Sequence, residues 1–343
     1  MKIGVPTEIK PDEYRVALTP AGVRELTSRG HQALVQRGAG LGSAIDDDAF
    51  EAQGARIVPD AAAVFREAEI VLKVKEPLVE EVRLLRPEVC LFTYLHLAAA
   101  PGLARDLCES GATCIAYETV EANGRLPLLA PMSEVAGKIA TQAGAFMLER
   151  PMGGRGVLLG GVPGVAAAKV MVIDGGVVGM KAAFIAISME AKAVVFDRSI
   201  DRLRELEIAF GGRASTVYAS TLSIEQMLGQ ADLVIGAVLV HGARAPRVIT
   251  REQLGLMKQR AVLVDVSIDQ GGCFETSRPT THSDPTYVEG GITHYCVTNM
   301  PGAVPRTSTL ALSNVTLPYA LVLADLGLTA AATKHPELAK GIN

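Results

Sequence analysis

The chain has 343 residues, long enough for two domains that each bury a core. Hydrophobic residues make up 49% and charged residues 20%, the balance of a folded globular protein and not of a disordered one. A formal net charge of −4 gives no sign of nucleic-acid binding, and no run of about 18 apolar residues is free of charge or proline, so no membrane span is expected.

The opening MKIGVPTEIK turns polar before an apolar leader core can form, so no signal peptide is expected. Cys90, Cys108, Cys114, Cys273 and Cys296 are odd in number, scattered and without C-x-x-C spacing. That pattern points to reduced thiols and a cytoplasmic location, not to a disulfide frame or a zinc site.

In the first third, strand-like runs at Lys2–Val5, Ala33–Gln36, Ile70–Val74, Val89–Tyr94 and Thr113–Tyr117 alternate with helical patterns at Thr19–Arg29, Ala61–Glu67 and Gly102–Ser110. Alternation of this kind predicts a parallel sheet wound with helices on both faces. Ligands of such sheets gather at the carboxyl ends of the strands. Three polar residues fall there: Arg15 after the first run, Lys75 after the third and His96 after the fourth. Each alone is ordinary for a solvated loop. Together, two cations could clamp a carboxylate and a histidine could move a proton near neutral pH, which suits a small anionic substrate.

After Pro131, the stretch Met132–Glu149 reads as a long helix for which Ser133 is an N-cap candidate, carrying the chain into a second domain. The glycine-rich Gly153–Val165 reads as a turn-rich, hairpin-like connector. Then comes the segment the second half is built around. An apolar strand from Val170 to Ile173 leads into a turn with Gly175, Gly176 and Gly179, a helix from about Val177 to Met189, and a second strand, Ala193–Phe196, closed by Asp197. This is the layout of a dinucleotide-binding βαβ unit. The glycines admit a pyrophosphate, the helix N-terminus offers its N–H groups, and the acid accepts from the adenine ribose. Asp197 also favours NAD over NADP, because its charge opposes a 2′-phosphate; Arg198 and Arg202 nearby soften that preference.

The match departs from G-x-G-x-x-G at its first position, where Asp174 stands; a second acid, Glu190, occupies the helix-to-strand turn that usually takes glycine. A carboxylate near a pyrophosphate costs about 1 kcal/mol at 4 Å in water and more where water is thin. Further strands are expected at Ser215–Tyr218, Leu233–Gly236, Ala261–Asp265 and Thr293–Val297. The apolar run Ile235–Val240 is placed to cover an adenosine, and Asp269 with Gly271 and Gly272 follows a strand end. Thr298–Thr309 returns the chain to the first domain, where Leu310–Leu328 is expected as helix.

With these residues in view, the chain resembles the bacterial alanine dehydrogenases over nearly its whole length. GVPTEIK, YRVALTP, KVKEP, LFTYLHLA, LPLLAPMSEVAG, ADLVIGAVLV, DQGGCFETSRPTTH and NMPGAVPRTST carry the likeness. The resemblance implies an α/β fold of two Rossmann-like doubly wound domains with mostly parallel sheets and an interdomain active-site cleft. Residues 1–129 with 306–343 would form the substrate domain and residues 130–305 the NAD-binding domain. It implies reversible NAD-dependent oxidative deamination of L-alanine to pyruvate and ammonium by a homo-hexamer. Arg15 and Lys75 correspond to its substrate-carboxylate ligands, and His96 and Asp269 to its proton carriers. Its cofactor-lining positions fall on Ser133, Asp174, Gly175, Gly176, Val177, Val178, Gly179, Asp197, Arg202, Ala219, Val238, Leu239, Val266, Ser267, Ile268, Asp269, Arg278, Val297, Thr298, Asn299 and Met300.

The departures lie mainly in the cofactor unit. Besides Asp174 and Glu190, Ala219 stands where some members have serine. Leu326 replaces a histidine that helps hold magnesium in at least one member, so no metal is expected. The chain ends at Gly341-Ile342-Asn343, where relatives continue somewhat further. Two other readings compete: an NAD-binding transhydrogenase-like subunit, and a non-catalytic paralogue with a weakened cofactor site.

Overall fold

The computed structural model describes residues 1–239 and 245–343. Val240, the last residue of the apolar run from Ile235, lies outside the described residues. The chain divides into two compact units, Met1–Met132 with Val304–Asn343, and Ser133–Ala303.

The first unit contains β1 (Lys2–Val5), β2 (Gln32–Gln36), β3 (Arg56–Val58), β4 (Ile70–Leu72), β5 (Cys90–Thr93) and β6 (Thr113–Ala116). Among the described residues they form one sheet in the order β3-β2-β1-β4-β5-β6, with every pairing parallel. Central strands are buried on both faces, as the unbroken apolar runs require. β3 was not expected. It is a short edge strand whose Arg56 is exposed, so it carries no apolar run to read. Helix starts follow local chemistry: Thr19 caps Pro20–Ser28 by accepting from Gly22 N–H, and Asp60 caps Ala61–Glu67 by accepting from Ala63 N–H.

The second unit contains β7 (Lys169–Ile173), β8 (Lys192–Asp197), β9 (Ser215–Tyr218), β10 (Leu233–Gly236), β11 (Val262–Asp265), β12 (Thr286–Glu289) and β13 (Ile292–Tyr295). Their order is β12-β13-β11-β10-β7-β8-β9, parallel except for the β12–β13 hairpin. The unexpected β12 is again an edge strand, with Val288 exposed. Met171, Ile173, Phe196, Val234, Leu263 and Phe274 lie in the core.

Both sheets therefore share one plan. Order reverses beside the first strand, between β1 and β4 in one unit and between β7 and β10 in the other. In sheets of this plan, loops at the carboxyl ends of such strand pairs diverge and leave a crevice where ligands bind.

Two helix starts differ from expectation. The long helix runs Ala130–Met147, so Ser133 lies one turn inside it and is not its N-cap. Pro131 is compatible with a helix first turn, where its missing N–H has no partner to lose. The last long helix starts earlier than Leu310, at Pro305, and runs to Leu326. By length and composition that helix could cross a membrane. It is instead part of the first unit's core, with Ser308, Thr309, Leu312, Ser313 and Thr316 buried. Thr309 Oγ1 accepts from Val16 N–H at 3.1 Å and pairs with Ser43 Oγ at 2.8 Å.

Candidate active site

Arg15 and Lys75 stand on the loops that follow β1 and β4, the two strands at the order reversal of the first sheet. Both are buried, at 2% and 7% exposure. A buried cation needs compensation, and the loops supply it. Glu13 grips the Arg15 side edge, Oε1 accepting from Nε at 2.7 Å and Oε2 from Nη2 at 2.5 Å. Arg15 Nη1 lies 3.1 Å from Met132 Sδ. Burial works against the Arg15 charge, but Glu13 outweighs it and raises the guanidinium's pKa.

Lys75 is placed by Glu8. That carboxylate accepts from Val74 N–H at 2.6 Å and from Lys75 N–H at 3.4 Å, and from Lys73 Nζ at 2.9 Å. Lys73 also meets Glu81 at 2.8 Å, completing a cluster of three buried ionic side chains beneath the loop. Burial pushes the Glu8 carboxyl up despite Lys73. For Lys73, burial opposes the charge, yet Glu8 and Glu81 raise its pKa.

His96 follows β5 in a left-handed backbone conformation, φ 51°. Glu118 holds the turn, accepting from Leu95 N–H at 3.1 Å and from His96 N–H at 2.5 Å. Its Oε1 lies 4.0 Å from His96 Nδ1. The imidazole stacks on Tyr94 with ring centroids 5.8 Å apart, and Tyr94 donates its hydroxyl to Leu128 O at 2.6 Å. One neighbourhood holds all three residues. Tyr94 feels the charges of Arg15 and Glu118. Burial works to raise the Glu76 carboxyl, yet Lys10, Lys75 and His96 hold it below its usual value. The arrangement offers two fixed cations and a half-exposed imidazole, suited to a small carboxylate and a proton transfer.

The nucleotide half is built on β7. Helix Val177–Ser188 starts directly after the turn, so its first N–H groups face that turn. A Cβ on Gly179 would come within 1.8 Å of Asp174 O, so that position admits no side chain; one on Gly175 would come within 2.4 Å of Leu206 Cδ1, which would have to shift. Asp197 closes β8, accepting from Gly175 N–H at 2.9 Å and Ser199 N–H at 2.8 Å. Arg202 Nε donates to Gly175 O at 2.7 Å. These groups fit a dinucleotide: a glycine turn, open helix N–H groups, and an acid at the second strand's end. Asp174 is the discordant one. It sits at φ 80° with Oδ1 accepting from Gly176 N–H at 2.7 Å.

The remaining expected positions spread over the second unit's strand ends. Val177 and Val178 open the helix after β7. Ala219 N–H donates to Asp197 O at 2.9 Å, just past β9. Val238 packs on the core and Leu239 is 45% exposed, both past β10 at the order reversal. Val266, Ser267, Ile268 and Asp269 form a 3-10 turn after β11, and Asp269 is exposed there. Arg278 lies over the Tyr287 ring at 3.9 Å. Val297 bridges Thr280, Thr298 N–H donates to Thr280 O at 3.1 Å, Asn299 has φ 62° and Met300 is buried. Ser133 lies on the first turns of the helix Ala130–Met147, partly buried.

A family model described as alanine dehydrogenase/PNT, N-terminal domain, matches residues 4–136, and one for the C-terminal domain matches residues 140–343. The chain belongs to the alanine dehydrogenase/PNT family. Alanine dehydrogenase from Halomonas elongata is 57% identical over all of this chain and 93% of its own length. That from Mycolicibacterium smegmatis is also 57% identical, with the same coverage. A solved L-alanine dehydrogenase superposes with a TM-score of 0.96 at 50% identity, covering all of this chain and 95% of that one.

Within this member of the family, several supporting residues gave no sign in the sequence reading. Glu8, Glu13 and Glu118 orient the loops of Lys75, Arg15 and His96. Asp265, at the end of β11, is fully buried and holds the Asp269 loop: it accepts from Ser267 N–H at 3.0 Å, Cys273 N–H at 2.8 Å and Ser277 Oγ at 2.5 Å. Burial raises its carboxyl above the usual range even so. Only Glu13, two residues from Arg15, could have been picked out from spacing.

Proposed function

We propose that this protein catalyses the NAD-dependent, reversible oxidative deamination of L-alanine: alanine, NAD and water give pyruvate, ammonium, NADH and a proton. The observation that carries this reading is the position of Arg15 and Lys75 on the two loops beside the strand-order reversal, with His96 in the same neighbourhood. The alanine carboxylate binds the Nη1–Nη2 end of Arg15 and the Lys75 ammonium, which fixes the orientation of Cα. Such positioning removes several kcal/mol from a barrier by avoiding lost orientational entropy.

NAD, when bound, supplies the acceptor for the hydride leaving Cα. Asp197 and the turn Gly175–Gly179 would hold it, and Arg202, Val238 and Leu239 would lie on its adenosine side. Once the imine has formed, His96 hands a proton to and from the oxygen that water adds, and Asp269 serves the water or amine proton. A small pocket that accepts a methyl group separates it from a longer side chain by only about 1–3 kcal/mol per methylene, so glycine and 2-aminobutyrate should turn over weakly in the same assay. Arg15, Lys75 and His96 together favour this reading over that of a transhydrogenase-like subunit.

A homo-hexamer belongs to the same proposal. Phe146, Met152, Leu158, Val162 and Val165 leave apolar side chains exposed within one short stretch, a surface that association would cover. So does a cytoplasmic location: all five cysteines are unpaired, and burial pushes the Cys90 thiol up to about 12, keeping it protonated and inert.

The test is spectrophotometric. Purified protein should produce NADH absorbance only when both L-alanine and NAD are present, and less efficiently with NADP. Absence of any alanine-dependent signal would overturn the assignment. Equal efficiency with NADP would remove the coenzyme preference alone.

A further inference from the structure

The turn between β7 and its helix carries two N–H groups already capped by carboxylates of the chain. Gly175 N–H donates to Asp197 and Gly176 N–H to Asp174. The first is the ribose-binding acid of the fold. The second has no such role, and it stands at the mouth of the helix N-terminus. A Cβ on Gly176 would come within 2.8 Å of Asp174 Oδ1, so the carboxylate lies directly against the turn backbone.

We propose that Asp174 sets the dinucleotide affinity of this protein: its carboxylate caps the turn and holds negative charge where the cofactor's pyrophosphate has to lie. This inference rests on the NAD reading above. Among the described residues, the charged groups acting on Asp174 are Asp197 from β8 and Arg202 from the helix Ile200–Phe210. Asp197 adds to the repulsion. Arg202 is already bound to Gly175 O and to Glu205, at 2.7 and 2.6 Å, and so neutralises the site only in part. Helix N-termini favour anions, and here the chain has placed its own anion there. Burial raises the Asp174 carboxyl to about 6. Below that pH the side chain is neutral and can donate to a phosphate oxygen; above it the charge opposes one. Affinity for the dinucleotide therefore falls as pH rises through this range.

Calorimetric titration with NADH and with adenosine, at about pH 5.5 and about pH 8, tests this on the wild type, Asp174→Asn and Asp174→Gly. Asparagine keeps an acceptor for Gly176 N–H and tolerates the positive φ, while removing the charge. The expected result is NADH binding at least about fivefold tighter in both variants at the higher pH, the fold-change of one charge–charge contact in water. The gap should close at the lower pH, and adenosine affinity should match in all three proteins. Variants within twofold of wild type at pH 8, or adenosine gaining as much as NADH, would overturn the proposal alone, since NADH would still bind. No NADH binding by any of the three would remove the NAD reading and the proposal with it.

Discussion

Glu13 holds Arg15 by two parallel hydrogen bonds, Nε to Oε1 at 2.7 Å and Nη2 to Oε2 at 2.5 Å, with both residues buried. A bidentate grip on the side edge fixes the plane of the guanidinium and hence the direction of its Nη1–Nη2 end. Removing one partner of a buried pair leaves a charge without compensation and costs about 3–5 kcal/mol. Glu13→Ala should lose that much stability in urea unfolding. Glu13→Gln, which keeps an acceptor, should fold but raise the KM for alanine about tenfold more than it lowers kcat. An unchanged KM in Glu13→Gln would show that Arg15 needs no such orientation.

His96 combines its proposed proton transfer with a left-handed backbone, so alanine is a poor probe there: it alters backbone and chemistry together. Asparagine adopts positive φ more readily. His96→Asn should keep the wild-type melting temperature and lose about 10²–10⁴ in kcat, the usual worth of a general acid/base. A loss under about tenfold would exclude His96 from that role.

Asp174 also links stability to pH. Its folded pKa, about 6, lies above the 3.8 of an ordinary aspartate, with burial the main cause. The folded state thus retains the proton longer than the unfolded chain. No penalty exists below about pH 4; it grows as pH rises toward 6 and is constant beyond. Asp174→Asn should therefore be more stable than wild type at pH 8 by on the order of 2 kcal/mol, and equal to it near pH 4. Chemical denaturation at the two pH values measures this; a gap independent of pH would contradict it.

Glu190 has φ 64° in the turn between helix Val177–Ser188 and β8. A side chain in that conformation costs about 1–2 kcal/mol, part of which glycine gives back through its freer unfolded chain. Glu190→Gly should raise stability by about 0.5–1 kcal/mol and leave kcat unchanged. A lower melting temperature would mean that the Glu190 side chain makes stabilising contacts that outweigh the strain.

The sequence was legible where the signal is local. β1, β9 and β10 have the bounds that their apolar runs between turn residues suggest, and Asp174 and Glu190 do occupy positive-φ positions where glycine is the ordinary choice. Arg15, Lys75 and His96 follow strand ends as read, although the unnoticed β3 makes those strands β1, β4 and β5. Edge strands β3 and β12 escaped because one exposed face and three or four residues leave no periodicity. Ser133 has the side chain of a cap, but the helix begins at Ala130 and takes Pro131 into its first turn, where a missing N–H costs nothing. Glu8, Glu118 and Asp265 were invisible for a different reason. Glu8 works through Lys73, more than sixty positions along the chain, and only folding brings the two together.

The first unit is assembled from both ends of the polypeptide. Val16 meets Thr309, Thr19 meets Ser313, Arg306 reaches Ala44, and β6 hydrogen-bonds to Gly341 and Asn343. The second unit is one uninterrupted stretch. During synthesis, the nucleotide half can therefore complete its core as soon as it leaves the ribosome, while the amino-acid half must wait, partly exposed, for its closing helix. Chaperone dependence and aggregation in the nascent chain should concentrate in those waiting N-terminal residues, not in the part that carries the glycine turn.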